Sequence, residues 1–128
     1  MDIVTRKQLN ILIQLAEADK HFASVERELI YALAKKKKFP EHELNELIKK
    51  PEPIESLGAL SIAQKLDYLF TCAHLILADQ KVFEAEINFA KNIAIKLGFK
   101  QSAINYLIDN WENTPEEELK SQLLEDFM

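Results

Sequence analysis

Two pairs of carboxylates recur along the chain with the same spacing, and they are the side chains best suited to chemistry. Asp19 and Glu26 lie seven residues apart, Asp79 and Glu86 repeat that interval, and each Asp directly follows an apolar helical run. Carboxylate oxygens suit hard cations such as Ca²⁺, Mg²⁺ or Mn²⁺. One pair offers too few ligands for such an ion, so a cation site would require both pairs together.

The same four acids could instead have a purely structural role in which no ion binds. An Asp just after a helix can accept hydrogen bonds from backbone N–H groups downstream. A Glu near the third residue of the next helix can bond back to the cap N–H and meets the favourable end of the helix dipole. The segment DKHFASVE lacks the alternating acids and central Gly of an EF-hand loop. Both readings, cation site and structural caps, stay open from sequence.

Histidine and cysteine offer little for catalysis. Cys72 and His74 are two residues apart on a predicted helix and so do not share a face, which favours core packing for Cys72. His21 falls in the first acidic turn, where it could assist a metal or pH response, and His42 is expected in solvent. No phosphate loop or zinc-protease motif occurs. We therefore expect a protein that is not an enzyme.

Two further clusters, one of lysines and one of aromatic residues, could have either a structural or a binding role. The run Lys35–Lys38 ends an apolar segment, where cations complement the helix dipole, but it could also be a basic docking patch. Trp111, Tyr106 and Phe127 could form an exposed patch for a protein partner, although apolar residues at helical spacing more often pack in the core.

Length and composition bound the class of protein. The 128 residues fit a single domain, and the net charge of −5 argues against nucleic-acid binding, which needs clustered cations. The single cysteine excludes an internal disulfide and suits a reducing compartment. The N-terminus does not resemble a secretory signal, and the longest apolar run, residues 69–78, is about half of a bilayer span. We expect a cytoplasmic protein without membrane insertion.

Apolar residues recur at helical spacing almost throughout, and only two glycines and four prolines interrupt them, which predicts an all-α fold of about seven helices. Helix starts are predicted at Thr5, paired with Gln8 in a capping box, at Ser61, paired with Gln64, and at Thr114 before Pro115. Gly98 is a predicted helix stop. The faces expected to be buried include Val25, Leu29, Ala32 and Leu33 on the second helix, Ile62, Leu66, Leu69, Phe70, Ala73 and Leu77 on the fourth, and Leu119, Leu123 and Leu124 on the last.

An internal repeat relates the two halves. A shift of sixty residues without a gap superimposes both acidic pairs, and also places Phe39 on Phe99. This register predicts two pseudo-symmetric three-helix repeats within one domain. Repeat one covers about 5–50, a linker about 51–60, repeat two about 61–111, and a C-terminal helix about 115–126.

The doubled motif, apolar-Ala-Asp-x-x-apolar-x-x-x-Glu, resembles the TerB-like (tellurite-resistance TerB) domain family, which also occurs attached to a co-chaperone of the DnaJ class. The resemblance covers about residues 3–112. The chain departs from the family at Lys20 and Gln80, where the family usually has Gly, and at Ala23 and Phe83, where it often has a capping residue.

The resemblance implies that the two repeats pack about a pseudo-twofold axis, which would bring Asp19, Glu26, Asp79 and Glu86 together. A tellurite anion would be repelled by four carboxylates. The expectation is a non-enzymatic module that acts in stress response or as an adaptor for an unidentified protein partner, with a divalent cation at the shared acids. The alternative is a purely structural or protein-interaction domain whose acids only cap turns and helices.

Overall fold

The computed structural model describes residues 3–18, 24–78 and 84–128, and these residues form seven α-helices without a strand. The predicted all-α class is confirmed. None of the described helices is long and apolar enough to cross a membrane. The helices are α1 (Ile3–Glu17), α2 (Ser24–Lys36), α3 (Glu41–Lys49), α4 (Ile62–Ala78), α5 (Glu84–Lys96), α6 (Ser102–Asn110) and α7 (Glu116–Asp126).

Helices α1 and α4 form the centre of the fold. They pack on each other, and each also packs on both α2 and α5. Helix α3 packs on α1 and α2, and helix α6 packs on α4 and α5. Exchanging α1 with α4, α2 with α5 and α3 with α6 leaves this set of packed pairs unchanged. Helix α7 packs on α6 outside that scheme. The pattern supports the duplication predicted from sequence, which remains an interpretation.

The core-facing stripe of α2 differs from the prediction. Glu26, Ile30 and Ala34, one helical turn apart, are the buried residues of α2. Val25 is 36% exposed and Ala32 is exposed. The prediction was wrong because the buried stripe includes the acid Glu26, whereas the predicted stripe was made of apolar residues alone.

Two apolar residues expected in the core also lie at the surface. Ile62, the first residue of α4, is 45% exposed, and Leu124 on α7 is 41% exposed. Helix α7 buries Leu119 and Leu123, which share a face, whereas Leu124 is turned away from that face. A helix that packs mainly on one neighbour buries one stripe only.

One predicted capping box is confirmed and two predicted caps are wrong. The Ser61 hydroxyl accepts from the Gln64 N–H at 3.1 Å, and the Gln64 side chain accepts from the Ser61 N–H at 2.9 Å. Thr5 instead lies inside α1 and is buried. Thr114 does not cap α7, because Pro115 holds the cap position without a side-chain hydrogen bond, and the Thr114 N–H donates to the Asn110 carbonyl.

Helices α2 and α5 end in the same backbone arrangement, sixty residues apart. The Phe39 N–H donates to the Ala34 carbonyl, and the Phe99 N–H donates to the Ala94 carbonyl, both at 2.8 Å. The residue before each Phe has a positive φ, 91° at Gly98 and 59° at Lys38. The predicted stop at Gly98 is confirmed, and Lys38 adopts the left-handed conformation without being glycine.

Candidate functional site

The structure places two of the four predicted metal ligands. Glu26 is the third residue of α2 and Glu86 the third residue of α5, as the sequence suggested. They are only 2% and 1% exposed, and each has a hydrogen-bonding or electrostatic partner. Asp19 and Asp79 lie outside the described residues, as does His21. The four-acid cation site therefore stays a prediction.

The two buried glutamates occupy equivalent places in the fold. Both helices that carry them pack on α1 and on α4. Within residues 3–18, 24–78 and 84–128, no three His, Cys, Asp or Glu side chains form a group that could hold a metal ion.

Cys72 is a core residue, as the helical spacing suggested. Its side chain is fully buried, and burial raises the pKa of the thiol to about 12. The thiol is therefore protonated at neutral pH, whereas a nucleophilic cysteine must be a thiolate. His74 and His42 are both exposed.

A groove between α2 and α4 was not predicted. We call it the α2–α4 groove: it has a volume of about 410 Å³ and an apolar floor and walls that include Leu29, Leu33, Phe70 and Trp111. Leu29, Leu33 and Trp111 are partly exposed there. The polar residues along the groove are Lys36, Lys37, Asp67, Thr71, His74 and Glu116.

A polar network closes one side of the groove and ties three helices together. Gln8, which is 1% exposed on α1, donates through Nε2 to Asp67 at 3.0 Å and to the Thr71 hydroxyl at 3.1 Å. Lys37 Nζ donates to Gln8 Oε1 at 2.6 Å and to Asp67 Oδ2 at 2.8 Å. The side chains of Gln8, Lys37, Asp67 and Thr71 thus satisfy one another's hydrogen-bonding groups at this side of the groove.

Aromatic rings form the other end of the groove. The Trp111 ring lies 5.7 Å from the ring of Phe70 and is stacked with His74 at 6.1 Å, measured between centroids. Lys120 Nζ lies 5.8 Å from the centre of the Phe70 ring. Of the three aromatic residues considered as a patch, Trp111 belongs to this groove, whereas Tyr106 and Phe127 stack on each other.

The surface of α1 that corresponds to this groove is covered by the connector, residues 51–60. The Asn10 amide pairs with the backbone of Glu52 as a neighbouring strand would, since Nδ2 donates to the Glu52 carbonyl and Oδ1 accepts from its N–H, both at 2.9 Å. Gln14 also donates to that carbonyl, at 2.6 Å. Leu57, further along the connector, is only 2% exposed.

An ion pair reinforces the connector. Arg6 donates two hydrogen bonds of 3.0 Å to the Glu52 carboxylate, one from Nε and one from Nη2. These bonds lower the pKa of Glu52 below its usual value and raise that of Arg6. Three kinds of contact therefore hold the connector on α1: the ion pair of the Glu52 carboxylate, the hydrogen bonds of the Glu52 backbone, and the burial of Leu57.

These contacts were not predicted from the sequence, although α1 carries one signal of them. Gln8, Asn10 and Gln14 stand among the apolar residues Leu9, Ile11, Leu12 and Ile13 of α1, and Asn in particular is unfavourable inside a helix. Such residues indicate that their side chains have partners elsewhere in the fold. The identity of those partners, Asp67 and Glu52, was not available from local spacing.

Comparison of the chain with protein-family models, with curated proteins and with solved structures found no significant match. The TerB-like resemblance therefore stands on the doubled motif alone. A functional assignment has to come from the glutamates, the groove and the connector.

Proposed function

We propose that the protein is a non-enzymatic adaptor module and that its α2–α4 groove binds an apolar segment of a protein partner. The observation that carries the proposal is the groove itself, in which Leu29, Leu33 and Trp111 remain partly exposed beside a polar network whose members bond to one another. Partner segments commonly bind in apolar grooves of this kind.

The chemistry of the groove suits recognition better than catalysis. Lys37 and Asp67 form an ion pair, and Gln8 and Thr71 bond within the same network. A volume of about 410 Å³ lies within the range of ligand sites. We extend the proposal to a cytoplasmic protein that does not bind nucleic acid, in line with its negative net charge.

A selected-peptide experiment tests the adaptor function. Peptides chosen from a random library for binding to the protein should change the fluorescence of Trp111, the only tryptophan of the chain. The variant Leu33→Asp should weaken their binding at least about tenfold, because it places a charge in the apolar wall. Ile95→Asp is the matched control, since Ile95 is an exposed apolar residue of α5 that does not line the groove.

Equal weakening by Leu33→Asp and Ile95→Asp, with both variants folded by circular dichroism, would exclude the groove as the binding site. Peptides that bind without any change in Trp111 fluorescence would point to another surface.

A divalent cation is our second candidate ligand. It is supported by the burial of Glu26 and Glu86 at equivalent places on α2 and α5, and by the recurrence of the acidic pairs in sequence. In this proposal Asp19 and Asp79 supply the remaining ligands, and the stress-response role of TerB-like domains would depend on the bound cation.

Calorimetric titration of chelator-treated protein with Ca²⁺, Mg²⁺ and Mn²⁺ tests this candidate. We expect saturable heat in the wild type and none in a folded Asp19→Asn, Asp79→Asn double variant. An absence of both heat and thermal shift in the wild type would remove the cation and leave the acids as turn and helix caps.

A further inference from the structure

We propose that the lysine turn at the end of α2, residues 35–38, is a docking surface separate from the α2–α4 groove and binds an acidic segment of a protein partner. The inference is drawn from a comparison of two helix ends. Helices α2 and α5 end in the same backbone arrangement, but only α2 reaches it with four consecutive lysines.

The helix end itself does not require these lysines. Sixty residues further on, the stretch IKLG, residues 95–98, forms the same hydrogen bond from the N–H of the following Phe. It carries one cation, Lys96, to complement the helix dipole. Lys36 is the counterpart of Lys96 on α2. The helix dipole therefore leaves the other three lysines of the turn to be explained.

The structure explains one of these three lysines. Lys37 bonds to Gln8 and to Asp67, so it belongs to the polar network beside the α2–α4 groove. Lys38 has φ of 59°, in the left-handed region that favours glycine, and its counterpart in α5 is a glycine. The backbone conformation thus does not account for a lysine at position 38.

Lys35 and Lys38 lie next to each other at the surface. The Lys38 N–H donates to the Lys35 carbonyl at 3.1 Å, which closes a turn between them. Both residues are exposed, and neither takes part in an ion pair with residues 3–18, 24–78 or 84–128. Neither lines the α2–α4 groove, whose own cations are opposed by acids. The lysine turn therefore presents two free cations at a surface of its own.

An apolar cleft lies beside Lys35, between α2 and α3. It has a volume of about 470 Å³, and Tyr31, Phe39 and Leu44 are among its lining residues. One acid, Glu41, also lines the cleft, and it lies in the first turn of α3, where the helix dipole favours an acid. The surface thus combines an apolar cleft with unpaired cations beside it.

This combination fits an acidic protein segment that carries an apolar side chain beside its carboxylates. The carboxylates pair with Lys35 and Lys38, and the apolar side chain enters the cleft. A nucleic-acid duplex or an anionic membrane requires cations spread over a broad face. Here the chain has a net charge of −5, and α3 carries acids directly after the turn. A short segment needs to meet only the lysine turn and the cleft.

Two short labelled peptides are the direct probe. One carries glutamates on both sides of a single leucine, and the other carries glutamines in their place. Fluorescence anisotropy with the full chain measures their affinities. We expect the glutamate peptide to bind saturably and about fivefold more tightly than the glutamine peptide, which is the scale of two exposed ion pairs. Added salt should reduce this difference. Equal affinity of the two peptides would overturn the inference.

The double variant Lys35→Gln, Lys38→Gly should bind the glutamate peptide only as well as the wild type binds the glutamine peptide. Glycine suits the backbone at position 38, so the variant is expected to fold, and circular dichroism checks this. Lys49→Gln, Lys50→Gln is the matched control, because it removes two exposed lysines from the end of α3. Equal weakening by both double variants would mean general charge attraction and would overturn the docking surface.

Two further probes test the class of partner. These are vesicles that contain phosphatidylserine and a short DNA duplex. If either binds in a manner that depends on Lys35 and Lys38 while the glutamate peptide does not, the acidic protein segment is wrong.

The α2–α4 groove provides a separate comparison. Peptides selected for binding in that groove should bind the Lys35→Gln, Lys38→Gly variant and the wild type alike. If the variant weakens them as much as it weakens the glutamate peptide, the lysine turn is not a separate surface and the inference fails, while the adaptor function stands.

Discussion

The α1 face under the connector and the α4 face in the α2–α4 groove occupy matching positions in the sixty-residue register, and their surroundings differ. On α1, Asn10 and Gln14 hold the backbone of Glu52, and Leu57 is buried beside them. On α4, the residues at the positions of Asn10 and Gln14 are Phe70 and His74, and they contact Trp111. The packing of the six helices is shared, while the chain that follows each three-helix unit differs.

The two central helices have different neighbours at these matching positions. A polar amide at position 10 is stable in the interior because a connector backbone satisfies it. At position 70 the same place carries an aromatic ring, which leaves an apolar surface beside Lys36. The function of the molecule is thus expected where the two units diverge rather than where they agree.

Of the variants that test this comparison, the one that removes the buried Leu57 side chain of the connector should lower the stability of the fold most. Leu57→Ala should lower the free energy of unfolding by about 2–4 kcal/mol, because it deletes a fully buried side chain. Urea denaturation followed by circular dichroism measures it. The matched control is Glu117→Ala, sixty residues further on, where an exposed first-turn acid of α7 should matter by less than about 1 kcal/mol. Similar losses in both variants would mean that the connector is not specially anchored.

The paired helix ends at Lys38 and Gly98 provide an intermediate test. Gly98→Ala should destabilise the fold by about 1 kcal/mol, because φ is 91° there and L-residues avoid that region. A methyl group at Gly98 would meet no atom within 4 Å, so the cost is conformational and not steric crowding. Lys38→Gly should stabilise by about 0.5 kcal/mol for the opposite reason.

Thermal and urea unfolding of both variants measure these effects. A loss of stability in Lys38→Gly would show that the lysine side chain contributes more than its backbone conformation costs.

The smallest expected effect concerns the ion pair that fastens the connector. Because Arg6 lowers the pKa of Glu52 in the folded protein below the ordinary value of 4.5, the unfolded chain binds a proton first as the pH falls. The stabilisation is therefore complete above about pH 5 and disappears as the pH drops through the folded pKa.

Glu52→Gln should remove this acid-dependent part, which we expect to be below about 1 kcal/mol since the pair is solvent-exposed. The measurement is the urea midpoint of wild type and variant between about pH 6 and pH 3, a range that covers the titration of carboxylates. Glu112→Gln, at the corresponding position of the second unit, is the control. Parallel curves for wild type and Glu52→Gln would show that the pair contributes nothing.

Local sequence patterns predicted the features that depend on neighbours along the chain. The Ser61 and Gln64 capping box, the stop at Gly98 and the helical class all follow from residues within one or two turns. The Thr5 cap failed although its pattern was equally good. Gln8 there bonds across the fold to Asp67, and a tertiary contact of this kind is absent from local spacing.

The candidate sites likewise combine features that the sequence predicted with features that depend on tertiary packing. The third-residue positions of Glu26 and Glu86 followed from sequence, but their burial did not, because an acid is normally assigned to solvent. The α2–α4 groove could not be predicted, since it depends on how α2, α4 and the residues after α6 meet. Helix α2 is rotated so that Glu26, Ile30 and Ala34 face the core. Leu29 and Leu33 lie on the neighbouring face and therefore line the groove.

The attachment of α7 has a consequence for the rate at which a partner would associate. Leu119 and Leu123 are buried, the Lys100 N–H donates to the Phe127 carbonyl at 2.7 Å, and Phe127 stacks on Tyr106. The helix that carries Lys120 and Glu116 is thus fastened at its far end before any partner arrives. A partner of the α2–α4 groove would meet α7 already folded, and its association rate would then depend on ionic strength through the charges of Lys120 and Glu116.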